Sequence, residues 1–406
     1  MGRLHHARGV ERLVRNQLWC GPSPERFYDA LEWFYGWRLD NCLSTRWTRT
    51  EKRKHEMNEL GRLEDLPVDH REALTAHNLV PLWPSLRAVL PPGVPTRQTQ
   101  AAHWPYATLK PLLLRAGELT PIEKAERRVL VLANPGHGLQ KMQASAAIYL
   151  GMQLLLPGER APSHRHTPNA VRMAVDGTGA WTTVEGEKCA MERGDLILTP
   201  SGLWHEHGHD GSEAVVWLDV LDLPLMFYAE VSYPVNGPGH DEHPAVQPVQ
   251  LGQADRAYAH GGLLPTPLFE RCRKPYPMLR YPWAQTRAAL LALADDQPAL
   301  QAVQLAYVNP ETGGPALNVL GFGALMLRPC QTLRLPARSP ASVFHVIEGA
   351  ATLQMEAQRF TLAAADTACA PGYTAVTLKN ASATTPTFVF IADETPLHQK
   401  MGVYAI

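Results

Sequence analysis

The sequence lacks three features that would assign its 406 residues to a membrane, a nucleic acid or a secreted disulfide framework. No run approaches the roughly 18 apolar residues of a membrane span, and the first residues lack the apolar core of a signal peptide. Lys and Arg number 38 and Asp and Glu 39, so the net charge favours neither nucleic acid nor an anionic membrane as a partner. The 6 cysteines show no paired or metal-ligand spacing, which predicts reduced thiols in a cytoplasmic protein.

Proline is abundant, at 35 residues, and mostly separates short segments, which suits many strands and loops better than long helices. The length allows two sizeable cores. Helical patterns occur at residues 24–38, 69–78 and 283–294. Residues 24–38 are rich in aromatics and predict either a helix packed on a partner surface or a ligand-stacking site. Residues 48–59 form a charge run that indicates a solvated face or linker.

Three histidines predict a metal site. His164 and His166 are two positions apart in a strand-like run, so both rings leave the same face. His205 follows after strand-like runs at residues 172–175 and 196–199, the distance needed in a small antiparallel barrel to return beside the first strand. Three neutral imidazoles suit iron, zinc, copper or nickel, so the ligands alone do not choose the metal. A purely structural site is disfavoured because such sites are usually four-coordinate and closed.

The spacing around these histidines resembles two cupin motifs. Gly158, five residues and then His164-Arg165-His166 is similar to the first motif, and Gly194 followed by Pro200-Ser201-Gly202 and His205 to the second. The carboxylate ligand that most cupins add after the paired histidines is missing. In this all-histidine pattern, and in the segments HRHTPNAVRMAVDGTGAW and GDLILTPSGLWHEHGH, the sequence resembles the gentisate 1,2-dioxygenase family. This family includes salicylate and 1-hydroxy-2-naphthoate dioxygenases.

This resemblance implies a mainly β bicupin, with two double-stranded β-helix or jelly-roll barrels and a helical N-terminal region. We expect an N-terminal extension and helical region at residues 1–124 and a first barrel with the metal site at 125–222. A linker with one helix should span 223–300, and a second barrel 301–406. Superposing the repeats puts Pro336 and Arg338 where His164 and His166 stand, so the second barrel should have lost its metal site.

The resemblance also implies an Fe(II)-dependent dioxygenase of aromatic catabolism. Such an enzyme opens an ortho-hydroxy aromatic acid between the carboxyl-bearing and hydroxyl-bearing carbons, using dioxygen. The expected partners are therefore a small aromatic acid and dioxygen, with no nucleic acid and no membrane, and a homo-oligomer, with a tetramer favoured. Two alternatives remain open, namely a non-catalytic metal-binding cupin and a cupin isomerase or decarboxylase that uses another divalent metal.

Two arginines are candidates to bind the substrate carboxylate. Arg172 lies six residues after His166 on a strand, and its planar guanidinium matches a carboxylate, although it could instead face outward. Arg127 and Arg128 must point to opposite sides of a strand. The family's inward arginine matches Arg128, and a one-residue slip would exchange the two.

His207 and Asp219 are candidates for the reaction itself. His207 shares a face with His205, so it could accept the proton of the substrate hydroxyl or stabilise a reduced oxygen species at the metal. Asp219 matches a family acid that holds a pocket histidine or arginine in orientation.

Tyr149, Gly151 and Gln153 face the same way by strand parity and correspond to the family's substrate-pocket strand. Gentisate enzymes are expected to have Trp at the first of these positions and Ala at the second. The missing methyl group at Gly151 predicts a larger pocket, unless this glycine only accommodates a backbone contact. A salicylate, plain or substituted at position 5, such as 5-nitrosalicylate, is therefore as well supported as gentisate.

Overall fold

The computed structural model describes residues 61–237 and 274–406, together with residues 256–259, 263, 265, 266 and 268 between them. The predicted helix at 24–38 and the charge run at 48–59 lie outside the described residues. The chain divides into two compact units, residues 1–96 and 97–406. In the described part of the first unit, helix α1 spans Val68–Ala76, which confirms the helix predicted at 69–78, and α2 spans Leu86–Val89.

The second unit is dominated by β-strands and includes five described helices. The helices are α3 Tyr106–Leu119, α4 Ile122–Ala125, α5 Leu223–Tyr228, α6 Trp283–Asp296 and α7 Thr395–Lys400. The strands are β1 Ala102–Trp104, β2 Arg128–Val131, β3 Tyr149–Leu155, β4 Arg160–His166, β5 Ala170–Asp176, β6 Ala180–Val184, β7 Glu187–Ala190, β8 Leu196–Thr199, β9 His205–His209, β10 Val215–Leu221, β11 Pro234–Asn236, β12 Arg280–Tyr281, β13 Val303–Ala306, β14 Gly321–Leu327, β15 Thr332–Leu335, β16 Ser342–Glu348, β17 Ala351–Met355, β18 Gln358–Leu362, β19 Thr367–Ala370, β20 Val376–Lys379 and β21 Thr387–Asp393.

These strands build two barrels of antiparallel sheets, which confirms the mainly β bicupin fold. Barrel 1 consists of a six-stranded sheet in the order β12-β8-β5-β10-β3-β2 and a five-stranded sheet in the order β11-β4-β9-β6-β7. Barrel 2 consists of the sheets β1-β19-β16-β21-β14-β13 and β15-β20-β17-β18. Each barrel thus repeats the same strand order, with short additions at the sheet edges.

The edge strands come from segments that the sequence assigned to an extension and a linker. Strand β1, in the expected N-terminal extension, pairs with β19 of barrel 2. Strands β11 and β12, in the expected linker, pair with β4 and β8 of barrel 1. Short strands of this kind leave little local pattern, because pairing with a distant strand supplies most of their stabilisation.

Helix α6 and the residues just before it join the two barrels through polar contacts. Asp195 of barrel 1 accepts a hydrogen bond from the backbone N of Trp283 at 2.8 Å and pairs with Arg280 at 2.7 Å. Glu348 of barrel 2 accepts hydrogen bonds from Nε1 of Trp283 at 2.7 Å and from Nε of Arg287 at 3.0 Å. The helix predicted at 283–294 is therefore present and packs on both barrels.

Within the described part of the chain, no helix has the length and apolarity needed to cross a bilayer. The described cysteines, Cys189, Cys330 and Cys369, are free thiols, as the spacing predicts.

Candidate metal centre and active site

The three predicted ligand histidines meet inside barrel 1. His164 and His166 lie on β4 and His205 on the neighbouring β9, where His164 and His205 are directly paired. The ring centroids are 4.1 Å apart for His164 and His205, 4.7 Å for His166 and His205, and 5.5 Å for His164 and His166. One nitrogen from each ring lies within 4.8 Å of the other two, and no other such group occurs in the described residues.

Backbone carbonyls set the orientation of all three rings. The Nδ1 atoms of His164, His166 and His205 lie 3.0, 2.7 and 2.9 Å from the carbonyl oxygens of Pro162, Pro168 and Leu203, respectively. Because a carbonyl can only accept, each Nδ1 carries the hydrogen and each Nε2 keeps its lone pair. Three Nε2 lone pairs therefore face one point, as a metal requires.

Burial keeps these imidazoles neutral. It lowers the pKa of His164 to about 3 and that of His166 to about 4, and the nearby arginine charges act in the same direction. Burial also lowers the pKa of His205 well below its ordinary value, with Arg172 as the next cause. Neutral imidazole is the form that binds metal, so no proton has to leave these ligands when the metal binds.

Buried nitrogens without a hydrogen-bond partner surround this point. They are the Nε2 atoms of Gln153, His164, His205 and His207. Buried polar atoms in proteins are nearly always hydrogen-bonded, so such a cluster in one cavity indicates that a ligand completes it. The histidine nitrogens fit a metal ion, and the amide of Gln153 fits a polar group of a substrate.

Arg172 and Asp219 form a buried ion pair beside the histidines. They are cross-strand neighbours, and Nε of Arg172 lies 3.3 Å from Oδ1 of Asp219. Arg172 also donates to Oγ1 of Thr199 at 2.6 Å, and Asp219 accepts from Nε1 of Trp217 at 3.1 Å. Burial raises the pKa of Asp219 to about 6, against the opposing charge of Arg172. Arg172 thus points inward, and Asp219 fixes its guanidinium.

The arginine that faces the cavity is Arg127, directly before β2, so the assignment of Arg128 was wrong. The side chain of Arg128 pairs with Glu159 and donates to the carbonyl of Gly117 at 3.3 Å, on the outer side of the strand. The register pairs Val129 with Gln153, which puts Val129 and, by parity, Arg127 on the cavity side. The charge of Arg127 acts on His164, His166 and Asp219.

Gly151 does not leave an open space, contrary to the expectation of a larger pocket. A Cβ atom on Gly151 would overlap Cγ1 of Val129 and lie 2.8 Å from the hydroxyl oxygen of Tyr149. The Tyr149 ring therefore lies across Gly151 and fills the volume of the missing methyl group. Burial, followed by the charge of Asp219, raises the pKa of this phenol, so its hydroxyl stays protonated and can donate.

His207 shares the cavity with the ligand histidines but is oriented by a side chain. Its ring centroid is 5.8 Å from that of His205 and 5.5 Å from that of Trp217. Nδ1 of His207 lies 2.8 Å from Oγ1 of Thr182, and both residues are fully buried. Nothing in the sequence singles out Thr182, because a threonine in a strand is common.

A second pair that the sequence did not single out braces the ligand loops. Asp222 accepts hydrogen bonds from the backbone N of Asn169 at 2.7 Å and from its Nδ2 at 2.8 Å. Oδ1 of Asn169 in turn accepts from the backbone N of Ser201 at 3.0 Å. The segment after His166 is thus tied to the turn that precedes His205.

Barrel 2 has an apolar interior at the equivalent positions. Its Leu325, Phe344, Val376, Leu378 and Ile391 occupy the register positions of Gln153, Arg172, His205, His207 and Asp219. The register pairs Leu335 with Val376, as His164 pairs with His205, so Leu335 rather than Pro336 is the counterpart of His164. The sequence alignment was one residue out because β4 contains a register shift between Ala161 and His164.

The fold and the site together define a metal-dependent bicupin enzyme whose histidine centre lies in barrel 1. The Cupin domain family matches residues 151–221. Gentisate 1,2-dioxygenase of Ralstonia sp is 69% identical over 354 residues, which cover 87% of this chain and 98% of that protein. The crystal structure of salicylate 1,2-dioxygenase from Pseudoaminobacter salicylatoxidans, as adducts with gentisate, matches with a TM-score of 0.76 at 29% identity, over 86% of this chain and 95% of that one.

The chain belongs to the gentisate 1,2-dioxygenase family and is a ring-cleaving dioxygenase. A separate similarity covers 44 residues, 11% of this chain, that are 70% identical to 11% of 3-hydroxybenzoate 6-hydroxylase of Polaromonas naphthalenivorans.

Proposed function

We propose that this enzyme is an Fe(II)-dependent dioxygenase that opens the ring of gentisate between the carboxyl-bearing and hydroxyl-bearing carbons. The observation that carries the proposal is the convergence of three neutral imidazole Nε2 atoms next to two arginines in one buried cavity. The cavity side chains alone carry one net positive charge, from Arg127, Arg172 and ionised Asp219. A divalent ion adds two more, so the site favours an anionic aromatic acid.

Iron suits both the ligands and the reaction. Imidazole binds zinc and iron alike, but zinc has no redox chemistry and cannot activate dioxygen. When bound, Fe(II) would supply a Lewis acid for the substrate oxygens and an electron path to dioxygen. His164, His166 and His205 would hold it, and no protein carboxylate would reduce its charge.

The remaining residues bind and orient the substrate. Arg127 and Arg172 are proposed to bind the carboxylate, since a guanidinium forms strong charge-assisted hydrogen bonds with it. Asp219 keeps Arg172 in place, and the free amide of Gln153 hydrogen-bonds the ring's oxygen substituents. His207, whose unpartnered Nε2 is buried in the same cavity, is proposed to contact the substrate.

Two observations favour gentisate over a plain salicylate. The Tyr149 hydroxyl gives the cavity a polar wall, which suits the hydroxyl that gentisate carries at position 5. Gentisate is also the substrate in the name of the Ralstonia relative, which is 69% identical over 87% of this chain. A salicylate substituted at position 5 is the second candidate, because 5-aminosalicylate 1,2-dioxygenase of Comamonas sp is also a relative.

The test is anaerobic reconstitution with ferrous iron, followed by oxygen uptake with gentisate, salicylate and 5-substituted salicylates. We expect one dioxygen consumed per gentisate, with a ring-opened product that absorbs in the near ultraviolet. If kcat/KM were higher for a 5-substituted salicylate than for gentisate, that salicylate would be the preferred substrate. Absence of uptake with every ortho-hydroxy acid would support a non-catalytic metal-binding cupin.

The cytoplasmic location and the homotetramer stay predictions. Sedimentation equilibrium of the full chain would measure the assembly directly, and a monomer at micromolar concentration would contradict the tetramer.

A further inference from the structure

Thr182 and His207 form a cross-strand pair that the proposed reaction does not yet explain. They are directly opposite each other on β6 and β9, and neither is exposed to solvent. Oγ1 of Thr182 lies 2.8 Å from Nδ1 of His207. Nε2 of His207, at the other end of the ring, has no partner and is buried in the cavity.

The hydrogen bond between these two side chains decides which ring nitrogen carries the hydrogen. If the Thr182 hydroxyl donates to Nδ1, the ring hydrogen is on Nε2 and points into the cavity. If Nδ1 donates instead, the hydroxyl hydrogen is left with Sδ of Met191 at 3.5 Å, a weak acceptor. The 2.8 Å contact accommodates either arrangement. We infer the first, in which the hydroxyl hydrogen lies on this short contact to an imidazole nitrogen rather than on the longer contact to a thioether sulfur, so that His207 presents an N–H donor to the cavity.

The ligand histidines have the opposite arrangement. Carbonyl acceptors force the hydrogen of His164, His166 and His205 onto Nδ1 and leave Nε2 as a lone pair. His207 is the ring in this group that is oriented by a hydroxyl, which can donate. The same strands of the cavity therefore supply three lone pairs to a metal and one N–H beside them.

Barrel 2 offers an internal comparison. Leu353 and Leu378 occupy the register positions of Thr182 and His207 and pack in its apolar core. Both polar members are replaced together, as expected if the threonine serves the histidine rather than the fold. If the hydroxyl of Thr182 served only the fold, its loss in barrel 2 would not be expected to accompany the loss of the histidine.

We propose that Thr182 is a positioning residue that fixes His207 with Nε2–H toward the bound substrate. His207 then acts as a hydrogen-bond donor to an oxygen atom of the substrate or of dioxygen, not as the base that accepts the substrate hydroxyl proton. This inference rests on the proposed dioxygenase function.

The first test compares Thr182→Val with Thr182→Ser and with Thr183→Val, a change at the adjacent residue on the other face of β6. Each iron-loaded variant is assayed with gentisate, and its bound iron is measured. We expect Thr182→Val to lose about tenfold in kcat/KM, the size of one net hydrogen bond, at unchanged iron content. Thr182→Ser and Thr183→Val should stay close to the parent enzyme.

The second test reads the hydrogen position itself. Long-range proton–nitrogen NMR of the zinc-substituted, histidine-labelled protein, with His207→Gln to assign the signal, should find the proton on Nε2 of His207. His207→Gln, whose amide keeps a donor near this position, should retain more activity than His207→Leu.

The outcomes separate the two proposals. A parent enzyme that consumes no oxygen contradicts the proposed function, while the NMR measurement still tests the position of the hydrogen. An active parent with a proton on Nδ1, or with Thr182→Val as active as Thr183→Val, would overturn the role of Thr182.

Discussion

The adjacent Arg127 and Arg128 allow a direct test of which face of β2 lines the cavity. Arg127→Gln removes one of the two positive side chains of the cavity, and Arg128→Gln is its matched control on the outer face. A charge-assisted hydrogen bond contributes about 1.5–3 kcal/mol, so the loss of Arg127 should raise KM for gentisate about 10- to 100-fold. Arg172 remains to bind the carboxylate, which limits the effect.

The control should change stability instead. Arg128 pairs with Glu159, whose side chain is 18% exposed, so the partner left behind in Arg128→Gln is only partly solvated. Breaking a fully buried pair costs about 3–5 kcal/mol, and we expect about 2 kcal/mol here. The variant should therefore unfold at lower temperature with an unchanged KM.

The assay is steady-state oxygen uptake with gentisate, together with inhibition by hydroquinone, which has the same ring without the carboxylate. Arg127→Gln should weaken gentisate binding and leave hydroquinone inhibition unchanged. A raised KM in Arg128→Gln with a normal KM in Arg127→Gln would mean that the register of β2 is shifted by one residue. If Arg127→Gln weakened the binding of gentisate and of hydroquinone equally, Arg127 would not be the residue that binds the carboxylate.

Three further predictions follow from the cavity wall and the ligand loops. Gly151→Ala should displace the Tyr149 ring into the cavity and lower kcat/KM for 5-substituted salicylates about tenfold, more than for unsubstituted salicylate. Activity should fall as the pH drops through about 6, because a proton on Asp219 removes the charge that holds Arg172, and Asp219→Asn should abolish this dependence. Asp222→Asn should reduce stability by about 1–3 kcal/mol and weaken iron retention, since it loses an acceptor for Asn169.

Each of these has a contrary result. Equal effects of Gly151→Ala on all salicylates would mean that the Tyr149 ring does not limit the ring substituent. The same acid limb in the parent and in Asp219→Asn, at equal iron content, would assign the titration to another group. If Asp222→Asn were destabilised but bound iron with normal affinity, the Asn169–Asp222 pair would support only the fold and not the metal site.

The metal ligands could be read from the sequence because their pattern is local. His164 and His166 share a strand face whatever the strand pairs with. The glycines at the turns mark where each strand ends, so the number of strands between His166 and His205 can be deduced. The fold was predictable for the same reason, since the motifs of barrel 1 carry its turns.

The sequence does not show which residues of β2 face the cavity. Its residues Val129 and Leu130 are apolar on both sides of the strand, because one side lines the cavity and the other packs under α3 and the adjoining loop. Without alternation, only the pairing with β3 decides that Arg127 faces inward. The Thr182–His207 contact is likewise a cross-strand pair, and sequence separation hides it.

The measurement that tests the central claim most directly is an anaerobic titration of metal-free protein with ferrous iron. We predict one iron bound per chain in the parent and none retained after gel filtration in His164→Ala, His166→Ala or His205→Ala. Full iron occupancy in any of these three variants would contradict a centre built from all three imidazoles.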